Sequence, residues 1–241
     1  MAVASTVPDL LTDLLRADPG RPAVTWIDPP SGARVELSRA TLANWVAKIG
    51  GLLQDVAGVE AGDRVRLDLP SHWLGVAWPL ACWSVGALVL PAGPGRSRAD
   101  VEVVGDAGEV TAADRLVVVG LAPFGGPSRV PVPAGGLDAG AEVLGQPDDL
   151  VADDPPGPDT AATDDHDHAG LLAAARERAH ALGLGEGERL ATDVGPSSRD
   201  GVVDTVLAPL VVGGSLVLLT AADPAALAAE QPDVSAGSLA G

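Results

Sequence analysis

The sequence predicts a layered α/β fold, and three observations predict it. Apolar stripes at helical spacing alternate with short β-type apolar runs, glycines mark the junctions, and one such order recurs twice. Hydrophobic residues make up 46% of the 241 residues, enough to bury a sizeable core and to exclude global disorder.

Pro8 to Arg16 places Leu10, Leu11, Leu14 and Leu15 at helical spacing. Residues 23–28 and 34–37 read as a hairpin around Pro29-Pro30-Ser31-Gly32. Ser38 caps a helix whose apolar positions are Leu42, Trp45, Val46, Ile49, Leu52, Leu53 and Val56. Gly58 and Gly62 close it, and residues 64–69 resume as a strand. A helix over 73–83 and a strand over 87–90 follow. Residues 101–104, 116–119 and 141–144 are expected as further short strands. From Pro147 to His168 the chain holds eight aspartates with Pro155, Pro156 and Pro158, a composition that predicts a solvated, mobile linker. Regular structure returns with a helix through Leu171, Leu172, Ala175, Ala179 and Leu182, then a glycine turn and a strand over 189–194. A helix up to Val212 and a strand over 215–219 complete the pattern. The expected organisation is a first α/β subdomain at 1–146, an acidic linker at 147–168, a second α/β segment at 169–230 and a frayed tail at 231–241.

The repeat runs from Gly51-Leu52-Leu53 through Gly62-Asp63-Arg64-Val65 and Pro79-Leu80 to Gly86-Ala87-Leu88-Val89-Leu90. Its second copy runs from Gly170-Leu171-Leu172 through Gly187-Glu188-Arg189-Leu190 and Pro209-Leu210 to Gly214-Ser215-Leu216-Val217-Leu218. Each copy reads helix, glycine turn, strand, helix, strand, which predicts two βαβ-like halves. Chance likeness among glycine-rich α/β segments is the competing account.

Charge narrows the functional classes. A net charge of −18 opposes binding to a phosphate backbone, so no nucleic-acid partner is expected. Lys48 is the sole lysine and there is no tyrosine, which leaves lysine or tyrosine chemistry almost nowhere to sit. One cysteine, Cys82, allows no internal disulfide and suits a reducing cytosol; Met1 to Asp9 lacks the basic start of a secretory signal. The runs 73–95 and 205–222 carry no charge and are long enough to be read as membrane spans. Pro79 and Gly86 interrupt the first, and Pro209, Gly213 and Gly214 the second, so both read as a buried helix leading into a buried strand. The prediction is a soluble, cytoplasmic chain without membrane association.

Asp164-Asp165-His166-Asp167-His168 offers oxygen and imidazole ligands that could take a metal weakly, against the plainer reading of a polar linker end. Gly183-Leu184-Gly185-Glu186-Gly187 follows a helix and precedes a strand, the reverse of a dinucleotide fingerprint, and reads as a helix-ending turn. Ser71-His72 and Ser197-Ser198 lack a nucleophile elbow and fit helix capping. Cys82 has no basic neighbour and reads as an inert core residue. Trp73, Trp78 and Trp83 recur every five residues; core packing is the default for them, with a tryptophan-lined pocket as the alternative.

These residues also carry a family resemblance. Arg21-Pro22-Ala23-Val24, Leu37-Ser38 and the run from Gly58 to Val65 resemble the beginning of an adenylate-forming enzyme, the superfamily of acyl-CoA synthetases and related ligases. The run from Trp78 to Pro91 resembles its helix–Gly-Ala–strand–Pro block. His168 to Val194 resembles the helix after that family's phosphate loop, and Ala208 to Thr220 the next helix and strand. The resemblance covers most of this chain but only the N-terminal half of a full-length member.

The resemblance implies a Ser/Thr/Gly-rich phosphate loop ending in Pro-Lys-Gly between Leu150 and His168. Small residues there would let backbone N–H groups converge on phosphates. The segment from Ala152 to Thr160 instead holds three prolines, which lack that donor, and aspartates, which repel phosphate. The family's adenine-contacting segments, ribose-binding aspartate and catalytic lysine have no matching positions. No catalytic, cofactor-binding or metal-binding residue and no cofactor is therefore assigned. The expected function is a catalytically incompetent, partner-binding or regulatory scaffold. The alternative is a residual nucleotide or acyl-ligand binder, or half of a split ligase.

Overall fold

Side-chain caps fix where the helices begin. In the computed structural model, which describes residues 4–92, 98–106 and 114–239, Thr6 accepts a hydrogen bond from the Asp9 N–H while the Asp9 carboxylate accepts from the Thr6 N–H. This reciprocal box opens α1 (Val7–Ala17). Ser38 accepts from the Thr41 N–H and opens α2 (Arg39–Gly51), which runs on as a π-helical turn through Leu52–Val56. His72, not its neighbour Ser71, caps α3 (Trp73–Ser84), its Nδ1 accepting from the Leu74 N–H. Asp138 caps the short α4 (Ala139–Glu142), and Asp167 caps α5 (His168–Ala181). Ser198 caps α6 (Arg199–Gly201), which passes through a π-helical turn, Val202–Leu207, into α7 (Ala208–Val211). Asp223 opens α8 (Pro224–Glu230).

Among the described residues ten strands form two five-stranded sheets. The first contains β1 (Pro22–Asp28), β2 (Ala33–Ser38), β8 (Arg189–Thr192), β9 (Ser215–Leu219) and β10 (Val234–Ala236), in the order β10-β8-β9-β1-β2. The second contains β3 (Arg64–Asp68), β4 (Leu88–Leu90), β5 (Val101–Gly105), β6 (Leu116–Val119) and β7 (Leu137–Asp138), in the order β4-β3-β5-β6-β7. Every pairing is parallel except the β1–β2 hairpin. The first sheet takes strands from both sides of the acidic segment, because β9 pairs with β1.

One core joins the sheets. Val24, Trp26, Leu216 and Leu218 of the first and Val65, Leu67, Val103 and Val117 of the second pack on the same apolar body as Leu42, Ile49, Trp78 and Leu171 of the intervening helices. The opposite face of the first sheet, with Ile27, Val217 and Leu219, is covered by Ala226 and Leu227 of α8. An α/β fold in layers is what the alternating pattern predicts.

Each repeat copy forms one βαβ unit, and the two units lie in different sheets. Hydrogen bonds place them one residue out of the sequence alignment. The Leu88 N–H donates to the Asp63 carbonyl at 2.8 Å, and the Ser215 N–H to the Glu188 carbonyl at 3.2 Å, so Leu88 corresponds to Ser215 and not to Leu216. Side chains alternate faces along a strand, so the shift pairs Val89 with Leu216, and both enter the shared core. Gly86 and Gly213 turn the chain between helix and strand with φ of 77° and 67°.

Three segments differ from expectation. Residues 141–144 are helical, belonging to α4 and a 3-10 turn (Val143–Gly145); Asp138 accepts from the N–H groups of Gly140 and Ala141, and a short apolar run does not fix its own periodicity. Residues 147–167 contain no regular element longer than an isolated bridge and are mostly exposed, but Ala162 among them is fully buried. Part of the expected tail is β10, which pairs with β8 through Val234–Leu190 to Ala236–Thr192. The end of the uncharged run, residues 93–95, and the last two residues, 240–241, lie outside the described residues.

Candidate functional site

The segment where the resemblance places a phosphate loop closes on itself. Ala161 and Asp167 form an antiparallel bridge, and the N–H groups of Ala162 and Thr163 both donate to the His166 carbonyl at 2.9 Å. Thr163 Oγ1 accepts from the N–H groups of Asp165 and His166, and Thr160 Oγ1 from that of Gly157. The N–H groups of His168 and Ala169 donate to the Thr160 and Pro158 carbonyls. A phosphate cradle needs donors converging on open space. Here those donors are satisfied inside the turn, and Pro155, Pro156 and Pro158 supply none. At the start of α5 the Asp167 carboxylate accepts from the Gly170 N–H at 2.7 Å. The chain's own anion thus holds the helix end where an exogenous anion would bind.

Buried groups fasten this turn. The Trp83 indole N–H and the Val89 N–H both donate to the Ala162 carbonyl, at 2.8 and 2.9 Å. Arg64 pairs with Asp164, and Gln54 accepts from the Asp153 N–H at 3.0 Å. Fully buried His168 accepts at Nδ1 from the Val7 N–H at 3.2 Å, tying the turn to α1. Burial pushes the His168 pKa down to about 4 against the opposing charges of Asp167 and Asp9. His72 sits 4.4 Å from the Trp26 ring, and burial pushes its pKa to about 4 as well. Both imidazoles are neutral at pH 7.

Beside the turn lies a cleft of about 750 Å³. Val89 and Leu90 at the end of β4, Leu171 and Ala174 of α5, and Val202 and Val203 of the second π-helical turn give it an apolar floor. Among the described residues its charged lining is mostly acidic, with Asp164, Asp165, Glu177, Asp200 and Asp204 beside Arg66 and Arg178. Sequence reasoning missed this cleft, whose walls come from three segments far apart in the chain with no motif linking them.

The sequence candidates do not converge on one site. His166 is exposed on the turn while His168 points into the core, and no group of three or more His, Cys, Asp or Glu residues among the described residues is arranged to hold a metal. Ser197 Oγ accepts from the Leu69 N–H and Ser198 caps α6, so neither faces His72 as a nucleophile would. Cys82 is fully buried, and burial pushes its thiol pKa up. Trp73, Trp78 and Trp83 are all buried in the core, and Gly183 and Gly187 turn the chain with φ of 73° and 75°. Among the described residues no helix is long and apolar enough to cross a membrane.

No family model matches the chain. A TIGR03089 family protein of Mycobacterium tuberculosis is 35% identical over 224 residues, covering 90% of each sequence. An acyl-CoA synthetase of Brucella canis superposes with a TM-score of 0.70 at 23% identity, over 90% of this chain and 43% of its own. A fatty acyl CoA synthetase of Mycobacterium tuberculosis gives 0.65 at 14% identity, over 91% and 45%. A mutant form of coronafacic acid ligase from Pectobacterium brasiliense gives 0.69 at 15% identity, over 94% and 49%. The chain therefore shares its fold with part of these acyl-CoA synthetases and the ligase, and spans less than half the length of these solved structures.

Proposed function

The chain belongs to the TIGR03089 family, and on that premise we propose that it is a non-catalytic scaffold that binds a protein partner or regulates one. The observation that carries the reading is the closed turn at 157–168. The backbone donors of Gly157, Thr160, Ala162, Thr163, Asp165, His166 and His168 are satisfied internally, and the Asp167 carboxylate caps the helix that would otherwise receive a phosphate. A triphosphate would meet Asp164, Asp165 and Asp167 within a few residues of one another, and the repulsion grows as water is excluded. A cytoplasmic location belongs to the same reading, which the single buried Cys82 supports. The test is pyrophosphate release from Mg-ATP with a panel of carboxylates; this reading expects none.

A second reading draws on the 43–49% of the solved structures that the chain spans. The chain would then be one half of a split ligase, completed by a separately encoded second half. Pyrophosphate release that requires a copurifying second chain would favour it.

A further inference from the structure

We propose that the cleft between α5 and the end of β4 binds an organic cation, an ammonium or guanidinium head carried on an apolar body. Its volume of about 750 Å³ is that of a small-molecule site. Pro91, Ala174, Ala181 and Val203, which keep part of their surface open, would take the body of the ligand, since covering them removes apolar surface from water. The lining charges select the head. Arg66 is held by Glu102 at 2.7 Å and Arg178 by Asp204 at 2.8 Å, so the two lining guanidinium groups are already matched by carboxylates. Glu177 and Asp200 are exposed at the mouth and have no ion-pair or hydrogen-bond partner among the described residues. A carboxylate or phosphate head entering here meets a lining that is net negative among the described residues, whereas a cation finds two carboxylates to pair with.

This inference goes beyond the scaffold reading and does not need it. A net charge of −18 concentrates cations over the whole surface, so the test separates the cleft from the general field. The full chain is titrated with hexylamine and, separately, with hexanoate, which share an apolar body and carry opposite heads; binding is read from amide chemical shifts. Hexylamine is expected to shift the amides of Leu90, Ala174 and Val203, and hexanoate to leave them unchanged. The Glu177→Gln/Asp200→Asn pair is expected to weaken hexylamine by about fivefold, as for exposed ion pairs. The control pair Asp148→Asn/Asp149→Asn, outside the cleft, is expected to leave it unaltered. Equal shifts from hexanoate, equal weakening by the control pair, or no shift with millimolar hexylamine would each overturn the proposal. Mg-ATP in the same titration bears on the scaffold reading alone.

Discussion

The indole of Trp83, on α3, donates to the carbonyl of Ala162, which stands 79 residues further along the chain in the acidic turn. This bond anchors a segment of prolines and aspartates to the core at Ala162. Trp83 is itself fully buried, so the bond is shielded from water.

Replacing Trp83 with Phe removes that donor and leaves space beside Ala162. The expected loss is about 2 kcal/mol of unfolding free energy, combining one buried hydrogen bond with reduced packing. Urea unfolding measures the loss, and hydrogen exchange should show the amides of Ala162 and Thr163 losing protection before those of β9.

Acid should destabilise the fold above the range of ordinary carboxylates. The pKa values of His72 and His168 are about 4 when folded and near 6.5 when unfolded, so between those values the unfolded chain binds more protons. Stability is full above pH 6.5 and falls as pH drops toward 4, by roughly 3 kcal/mol for each imidazole. His168→Asn keeps an acceptor for the Val7 N–H and removes one titration. Urea unfolding across this pH range should give a flatter profile for the variant than for the parent.

Asp106 is the buried carboxylate between the second sheet and the loop after β6. It accepts from the Leu121 N–H at 3.0 Å and from the Arg129 N–H at 2.8 Å, and it pairs with the Arg129 guanidinium at 3.0 Å. Burial raises its pKa, but these bonds outweigh burial and hold it below the usual carboxylate range. Asp106→Ala leaves two backbone donors unmatched, at an expected cost of about 3 kcal/mol. Asp106→Asn should cost less, because its amide oxygen still accepts, and comparing the two unfolding curves separates shape from charge.

The register of the repeat predicts how its glycines respond to alanine. Gly86→Ala and Gly213→Ala each place a side chain at positive φ, with an expected cost of about 1–2 kcal/mol. Gly214→Ala should cost more, since its Cβ would run into the Glu188 carbonyl that receives the Ser215 N–H. Thermal unfolding of the three variants gives the order directly.

Most of the fold was legible because its long elements announce themselves twice, once by apolar spacing and once by the capping residue. Ser38 with the stripe from Leu42 to Leu53 is one case, and Gly86 with Leu88 to Leu90 is another. Two other short segments carried no such double signal. Ala141 to Leu144 became helix because Asp138 reaches two N–H groups, and Val234 to Ala236 became strand because β8 offered an open edge. The acidic turn was legible in composition but not in shape, since its packing depends on Trp83, Val7 and Gln54, all distant in sequence. The cleft could not be read from the sequence for the same reason.

The most direct test of the scaffold reading is a calorimetric titration of the full chain with Mg-ATP, followed by AMP. No heat of binding, meaning any dissociation constant is weaker than about 1 mM, is the predicted result. Binding tighter than that, with signal at the amides of residues 160–170, would contradict it, because a nucleotide site would then survive despite the closed turn and the Asp167 cap.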